Sequence, residues 1–456
     1  MEYRSVDLRD PLAWPRPGAI GGRPQAVQTS SVRFEPNRLI GLLALVLVAS
    51  GSVVMTEPAL CDILFPPVFL LTLVTGHLLS PLQLPHMFTG AIIVFMLANL
   101  ASVLGARLWG YGDAMVYMAV TLYLLVYSAF FALFVGRFGP VGMTIVRDGY
   151  QIGAVIASGI GILASLHLLP NSEIFFRDAS LQRIQSTFED PNVFAPFLVG
   201  AVFLSLAPFI HEERLQIRHG TVIALSLTGI TLAFSRGAYV HLVVSLVVFV
   251  ALELVVVRDL RAARRLVVGI TVMTPLLAVA VGALLVNTGL ASYMQERLSM
   301  QSYDQVRFST QLESLLVAHE NLLGVGPGQY AQPRFLQDPH NNYLKVLAEN
   351  GAVGLLSFLA LVFTSVFYGL AGVFRRGRLA PVQAACVAVL AGIIVESLVI
   401  DTLHWRHYFL FLGLPVGLTL YERAQEATSR PDSAPCTHRV LRPSIERGPD
   451  SGASTA

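Results

Sequence analysis

At 456 residues, 54% of them hydrophobic and only 13% charged, the chain carries more apolar side chain than a soluble core of this length can bury. A formal charge of +2 excludes a basic nucleic-acid surface, and the three cysteines, Cys61, Cys386 and Cys436, frame neither a disulfide scaffold nor a metal site. Lipid is therefore the expected solvent: a helix crossing a hydrocarbon core takes roughly 17 to 25 mostly apolar residues and satisfies its own backbone.

Residues 1–38 are polar, dotted with arginine and rich in Pro and Gly; they read as a disordered cytoplasmic tail with no cleavable signal peptide. Apolar runs then predict spans near Leu39–Met55, Leu60–Leu79, Met87–Leu104, Ala114–Val135, Ile152–Leu169 and Val193–Ile210. Six more follow near Thr221–Phe234, Val240–Val257, Leu266–Val286, Leu355–Val373, Val382–Ile400 and Tyr408–Leu420. The expected fold class is an all-α polytopic membrane protein of about twelve transmembrane helices, with a membrane domain over 39–420 and a second disordered cytoplasmic tail over 421–456. With both termini inside, most basic residues fall in cytoplasmic segments. The exceptions are Arg107, Arg177, Arg183, Arg236, Arg297, Arg307, Arg334, Lys345 and Arg406, which call for a second explanation. The external side carries the loops 170–192 and 287–350, the larger between spans 9 and 10. Within the larger, Val306–Glu320 places Leu312, Leu315, Leu316 and Val317 at helical spacing, predicting an amphipathic helix on the membrane-facing surface.

The sharpest local pattern is Asp338-Pro339-His340-Asn341-Asn342-Tyr343, then a short helical stretch from Leu344 to Asn350 and Gly351-Ala352-Val353-Gly354. Pro339 disfavours helix before it and Gly351 suits a C-cap, so His340 sits at the mouth of a short helix. There the helix dipole disfavours an imidazolium, leaving an imidazole able to accept a proton. The plainer reading is that His340 and its asparagines cap the helix. Phe234-Ser235-Arg236-Gly237-Ala238 is a tight break between two spans with an arginine at its apex, which suits phosphate oxygens or snorkels to lipid headgroups. Arg307 is a second anion-binding candidate, with Arg297 and Arg334 as further ones. Gly324-Val325-Gly326-Pro327-Gly328 lacks the lysine end of a phosphate loop and reads as a strained turn. Asp62, His77 and Glu396 are ionisable residues at membrane depth, and Asp401, His404 and Arg406 between the last two spans are placed to line a shared cavity.

These motifs together resemble those of the O-antigen ligase and O-antigen polymerase superfamily of bacterial membrane glycosyltransferases. The likeness rests on His340-Asn341, nine residues, then Gly351-x-x-Gly354, with Ser235-Arg236-Gly237-Ala238 and with Arg307 ahead of Leu323-Gly324-Val325-Gly326-Pro327-Gly328. Two threonines that often follow the His motif are replaced by Leu355-Leu356, leaving ligase and polymerase both open. The resemblance implies transfer of a glycan from undecaprenyl diphosphate to an acceptor hydroxyl at the periplasmic face of the inner membrane, without metal, cofactor or nucleotide sugar, and with inversion at the sugar. It implies His340 as base or acceptor-orienting group, Arg236 with Arg307 as a diphosphate clamp, and Asn341, Asn342 and Arg297 as substrate-binding candidates. The implied partners are a lipid-linked glycan donor, a glycan or lipid acceptor and membrane lipids, with no nucleic acid. Hydropathy alone also fits a transporter or flippase of a lipid-linked glycan, although no internal repeat is present.

Overall fold

A computed structural model describes residues 38–76, 83–106, 111–177, 183–211, 217–254, 302–331 and 339–429, with Arg264, Arg265, Val267 and Gly282. The expected ninth span, Leu266–Val286, falls almost wholly outside the described residues, as do 1–37 and 430–456. The helices are α1 (Arg38–Ser50), α2 (Leu60–Val74), α3 (His86–Val103), α4 (Tyr111–Ser165), α5 (Pro191–His211) and α6 (Ile217–Leu232). They continue as α7 (Arg236–Leu252), α8 (Ser302–Glu320), α9 (Asn342–Phe374), α10 (Ala380–Glu396) and α11 (Arg406–Ser429). Among the described residues extended pairing is limited to isolated bridges, Val54 with Phe188 and Phe176 with Ile184.

By length and composition α3, α4, α5 and α9 can each cross a membrane, while α1, α2, α6, α7 and α10 are apolar but shorter. Each expected span except the ninth has a helical counterpart among the described residues, and four of the described helices are long and apolar enough to cross a membrane. The expected fourth and fifth spans are two arms of one helical stretch, α4, broken at Gly139, whose φ of 53° and ψ of −126° leave the helix ahead of Pro140. The connection between them, which holds Arg137 and Arg147, is helical on both sides of that break. In the same way α9 joins the short helix at 342–350 to the tenth span across a break at Gly351 (φ 70°), where the sequence placed it. The last helix runs to Ser429, several residues into the stretch read as tail.

Packing follows membrane rules. Large apolar side chains face outward, among them Leu97, Val243, Val247 and Phe363, as they do when lipid is the solvent. Inside, Phe65 of α2 meets Tyr127 and Phe130 of α4 edge to face at 5.3 and 5.5 Å. Small residues let backbones approach: Gly413 and Gly417 of α11 lie directly against the main chain of Ser128 and Ala132 of α4. A buried polar link joins α9 to α3, where Asn350 Nδ2 donates to Asn99 Oδ1 at 2.9 Å and to Ser102 Oγ at 3.2 Å. On α8 the apolar face points away from the fold: Leu312, Leu315 and Leu316 are exposed. The helix seats instead through Thr310 and Ser314, the latter 3.1 Å from the Tyr330 hydroxyl.

Candidate functional site

The short helix at the head of α9 is built from its sequence neighbours. Asn341 is its N-cap, and its Oδ1 accepts from the amides of Tyr343 and Leu344, each at 3.1 Å. That oxygen is therefore committed to the helix. The Asn342 amide donates to the Ser397 carbonyl at 2.9 Å, while its fully buried carboxamide has no partner among the described residues. His340, immediately before the cap, is half-buried with φ at 46°, a left-handed conformation unusual for a residue with a Cβ. The far end of the short helix is closed by the glycine run. Val325 N donates to Ala348 O at 2.9 Å and Gly326 N to Glu349 O at 3.0 Å, satisfying carbonyls that the helix leaves open. Gly324, Gly326 and Gly328 all have positive φ, so the run is the strained turn its composition suggests, and it supports the His340 helix.

His340 opens on a cavity of about 470 Å³. One wall is Lys345, a turn further along the short helix; another is Ile400, Asp401, His404, Trp405, Arg406 and His407, between α10 and α11 and at the head of α11. The rest comes from Val116, Tyr117 and Val120 of α4, from 188–190 with Asn192 and Val193, and from Gly51, Val54 and Glu57. Asp401, His404 and Arg406 thus share a cavity, as their positions suggested.

Its charges are paired across the fold. Lys345 Nζ lies 2.6 Å from Asp401 Oδ2, and Asp401 Oδ1 accepts from Leu403 N at 3.0 Å. Burial opposes ionisation of Asp401, but Lys345, His404 and the Leu403 amide together outweigh it and hold the carboxyl below its usual range. Burial, reinforced by Lys345 and Arg406 and opposed by Asp401, pushes His404 down to about 4. His404 Nε2 is 3.2 Å from Thr121 Oγ1. Arg406 holds Asp62 in a two-pronged pair, Nε to Oδ1 at 2.9 Å and Nη2 to Oδ2 at 2.6 Å, and reaches Glu57 at 3.5 Å.

The Ser-Arg-Gly motif reaches this cavity through a neighbour. Ser235 is the N-cap of α7, and its hydroxyl donates to Asn192 Oδ1 at 2.8 Å. Asn192 lines the cavity and also accepts from Arg183 Nη2 at 3.2 Å. Arg236 is half-buried at the first position of α7 and is not among the lining residues. Arg307 lies in the first turns of α8, with its side chain outside the described part; Arg297, Arg334 and His77 lie outside the described residues altogether. Of the ionisable residues expected at membrane depth, Asp62 is the partner of Arg406, and Glu396 is paired with His241 at 2.9 Å, both fully buried.

Sequence reasoning missed Asn192, Glu57, Glu189 and Asp190 as parts of the site. Glu57 lies in the short α1–α2 connection and the other three in the 170–192 loop, where polar and acidic residues look like ordinary surface; contacts of that loop with Ser52, Val54 and Ser235 bring them to the cavity. Lys345 left a signal: it is the chain's one lysine among 31 basic residues, on the side where the expected topology disfavours basic residues.

Residues 221–359, from α6 into α9, match the family model described as O-antigen ligase, and the matched stretch contains both the Ser-Arg-Gly and the His motifs. No curated protein matches the chain.

Proposed function

We propose that this chain, which belongs through residues 221–359 to the O-antigen ligase superfamily, is a bacterial membrane glycosyltransferase working on lipid-linked glycans. The donor is a glycan on undecaprenyl diphosphate, and the reaction takes place on the periplasmic face of the inner membrane. An acceptor hydroxyl attacks the anomeric carbon, giving up its proton to His340 or being aligned by it. As the new glycosidic bond forms, the bond to the diphosphate breaks and the lipid diphosphate departs with the electron pair. A single displacement of this kind inverts the anomeric centre. The growing negative charge on the leaving group needs cations, and Arg236 and Arg307 are assigned to it.

The observation that carries this reading is the placement of His340. It is held in a left-handed turn on a capped short helix, and it faces a cavity large enough for a sugar ring. A residue that served only as a helix cap would have no use for that opening, and the capping bonds here come from Asn341. Both family outcomes fit: a ligase whose acceptor is lipid A core or another envelope molecule, or a polymerase whose acceptor is a second lipid-linked repeat.

The test is envelope glycan analysis in cells carrying His340→Ala. Transfer is expected to fall below detection while the protein inserts at normal levels. Unchanged transfer removes His340 from the chemistry. In the full deletion, glycans left unattached identify a ligase, and single-repeat glycans identify a polymerase.

A further inference from the structure

The cavity in front of His340 has a charge pattern ill suited to phosphate. Its two basic side chains are already engaged, Lys345 with Asp401 at 2.6 Å and Arg406 with Asp62 and Glu57. Four carboxylates line it, those of Glu57, Glu189, Asp190 and Asp401, against those two cations. Asp190 has the exposed Arg177 at 3.7 Å, while Glu189 has no ion-pair partner within 4 Å among the described residues. Burial and the neighbouring Glu57 push the Glu189 carboxyl up, as expected where negative charges crowd. Among the described lining residues, a phosphorylated ligand entering here meets more carboxylates than cations, and both cations are already paired with carboxylates.

The same wall offers what a sugar needs. Carboxylate oxygens accept from hydroxyls, and Tyr117 and Trp405 supply aromatic surface. His407, more than nine-tenths buried on the wall and stacked against Trp405 at 5.2 Å, has an Nε2 with no hydrogen-bond partner. A buried polar atom of this kind beside a cavity marks a place for a ligand hydroxyl. Because the attacking hydroxyl must reach His340, and because the donor's diphosphate is excluded by charge, the sugar that fits here belongs to the acceptor. Resting on the glycan-transfer reading above, we propose that this cavity seats the terminal sugar of the acceptor, and that this sugar is neutral or amine-bearing and carries no phosphate.

The test reads binding, separately from transfer. Saturation-transfer NMR on the full chain in nanodiscs is run with methyl glucoside, glucosamine and glucose 6-phosphate at matched concentrations. Glucosamine is expected to give the strongest signal, methyl glucoside an intermediate one and glucose 6-phosphate the weakest. In Glu57→Gln/Glu189→Gln the glucosamine advantage is expected to fall roughly threefold, the size of a partly screened ion pair. Glucose 6-phosphate binding equal to or above that of methyl glucoside overturns the proposal, as does a ranking unchanged in the double variant, or no signal from any probe. An envelope glycan unchanged in the full deletion would instead remove the glycan-transfer reading, and the probe ranking is read independently of it.

Discussion

His340 and Phe234 occupy the same local setting in two distant stretches of chain. Each has positive φ, 46° and 48°, and each is followed at once by a side-chain N-cap, Asn341 and Ser235. Such conformations cost on the order of 1–3 kcal/mol and persist where the surroundings enforce them, commonly at functional sites. The shared geometry turns the chain sharply into a helix whose first residues bear the motif. Arg236 follows one such turn, and a planar guanidinium there can hold two phosphate oxygens at once, which an ammonium cannot. Arg236→Lys is therefore expected to lower glycan transfer at least tenfold at unchanged protein level, measured on the envelope glycan; full activity would point to a snorkelling role. His404 makes a different prediction. With its pKa pushed down to about 4 from an ordinary value near 6.5, the folded chain refuses a proton that the unfolded chain accepts. Its effect is absent above pH 6.5, and stability is lost progressively as pH falls from 6.5 toward 4. His404→Gln removes that penalty, so thermal unfolding of the purified protein should drop less between pH 7 and pH 5 than in the parent. An identical drop would show that His404 does not titrate in this way.

Between elements, one buried pair ties the two motifs together. His241 of α7 meets Glu396 of α10 at 2.9 Å, and Glu396 Oε1 lies against Gly237, the third residue of the Ser-Arg-Gly-Ala motif. The next residue, Ser397, accepts the Asn342 amide of the His340 helix. Arg236 and His340 are thus linked by a short run of direct contacts. Removing one partner of a buried pair leaves the other unsatisfied, at about 3 kcal/mol or more. Glu396→Ala should lower the unfolding midpoint clearly, and Glu396→Gln, which keeps an oxygen for His241, should lower it less. Equal midpoints for the two variants would argue against the pair. Much at this level was readable beforehand: the short helix, its end at Gly351 and the turn role of the glycine run all follow from local backbone preferences of Pro, Asn and Gly. The tightness of the corner between the fourth and fifth spans was not readable: it turns at Gly139 alone, and Arg137 and Arg147 are as compatible with a helical corner as with a loop.

Across the molecule, apolar helices and the match of residues 221–359 to the O-antigen ligase family model support a membrane protein, and the distribution of arginine predicts that both termini lie in the cytoplasm. Cys61 and Cys386 are buried, which leaves Cys436 as a natural reporter of the C-terminal side. A membrane-impermeant maleimide is expected to label it in lysed cells and not in intact spheroplasts; labelling in spheroplasts would invert the orientation and place His340 on the cytoplasmic side. Lipid as solvent, helix as the building unit and His340 at a helix mouth could all be read from composition and spacing, since each depends on residues a few positions apart. The cavity could not. It exists because Lys345 finds Asp401 56 residues away, Ser235 finds Asn192 43 residues away and Arg406 finds Asp62 across 344 residues. Partnerships at such separations leave no periodic trace in the chain, and they are set by which helices pack together.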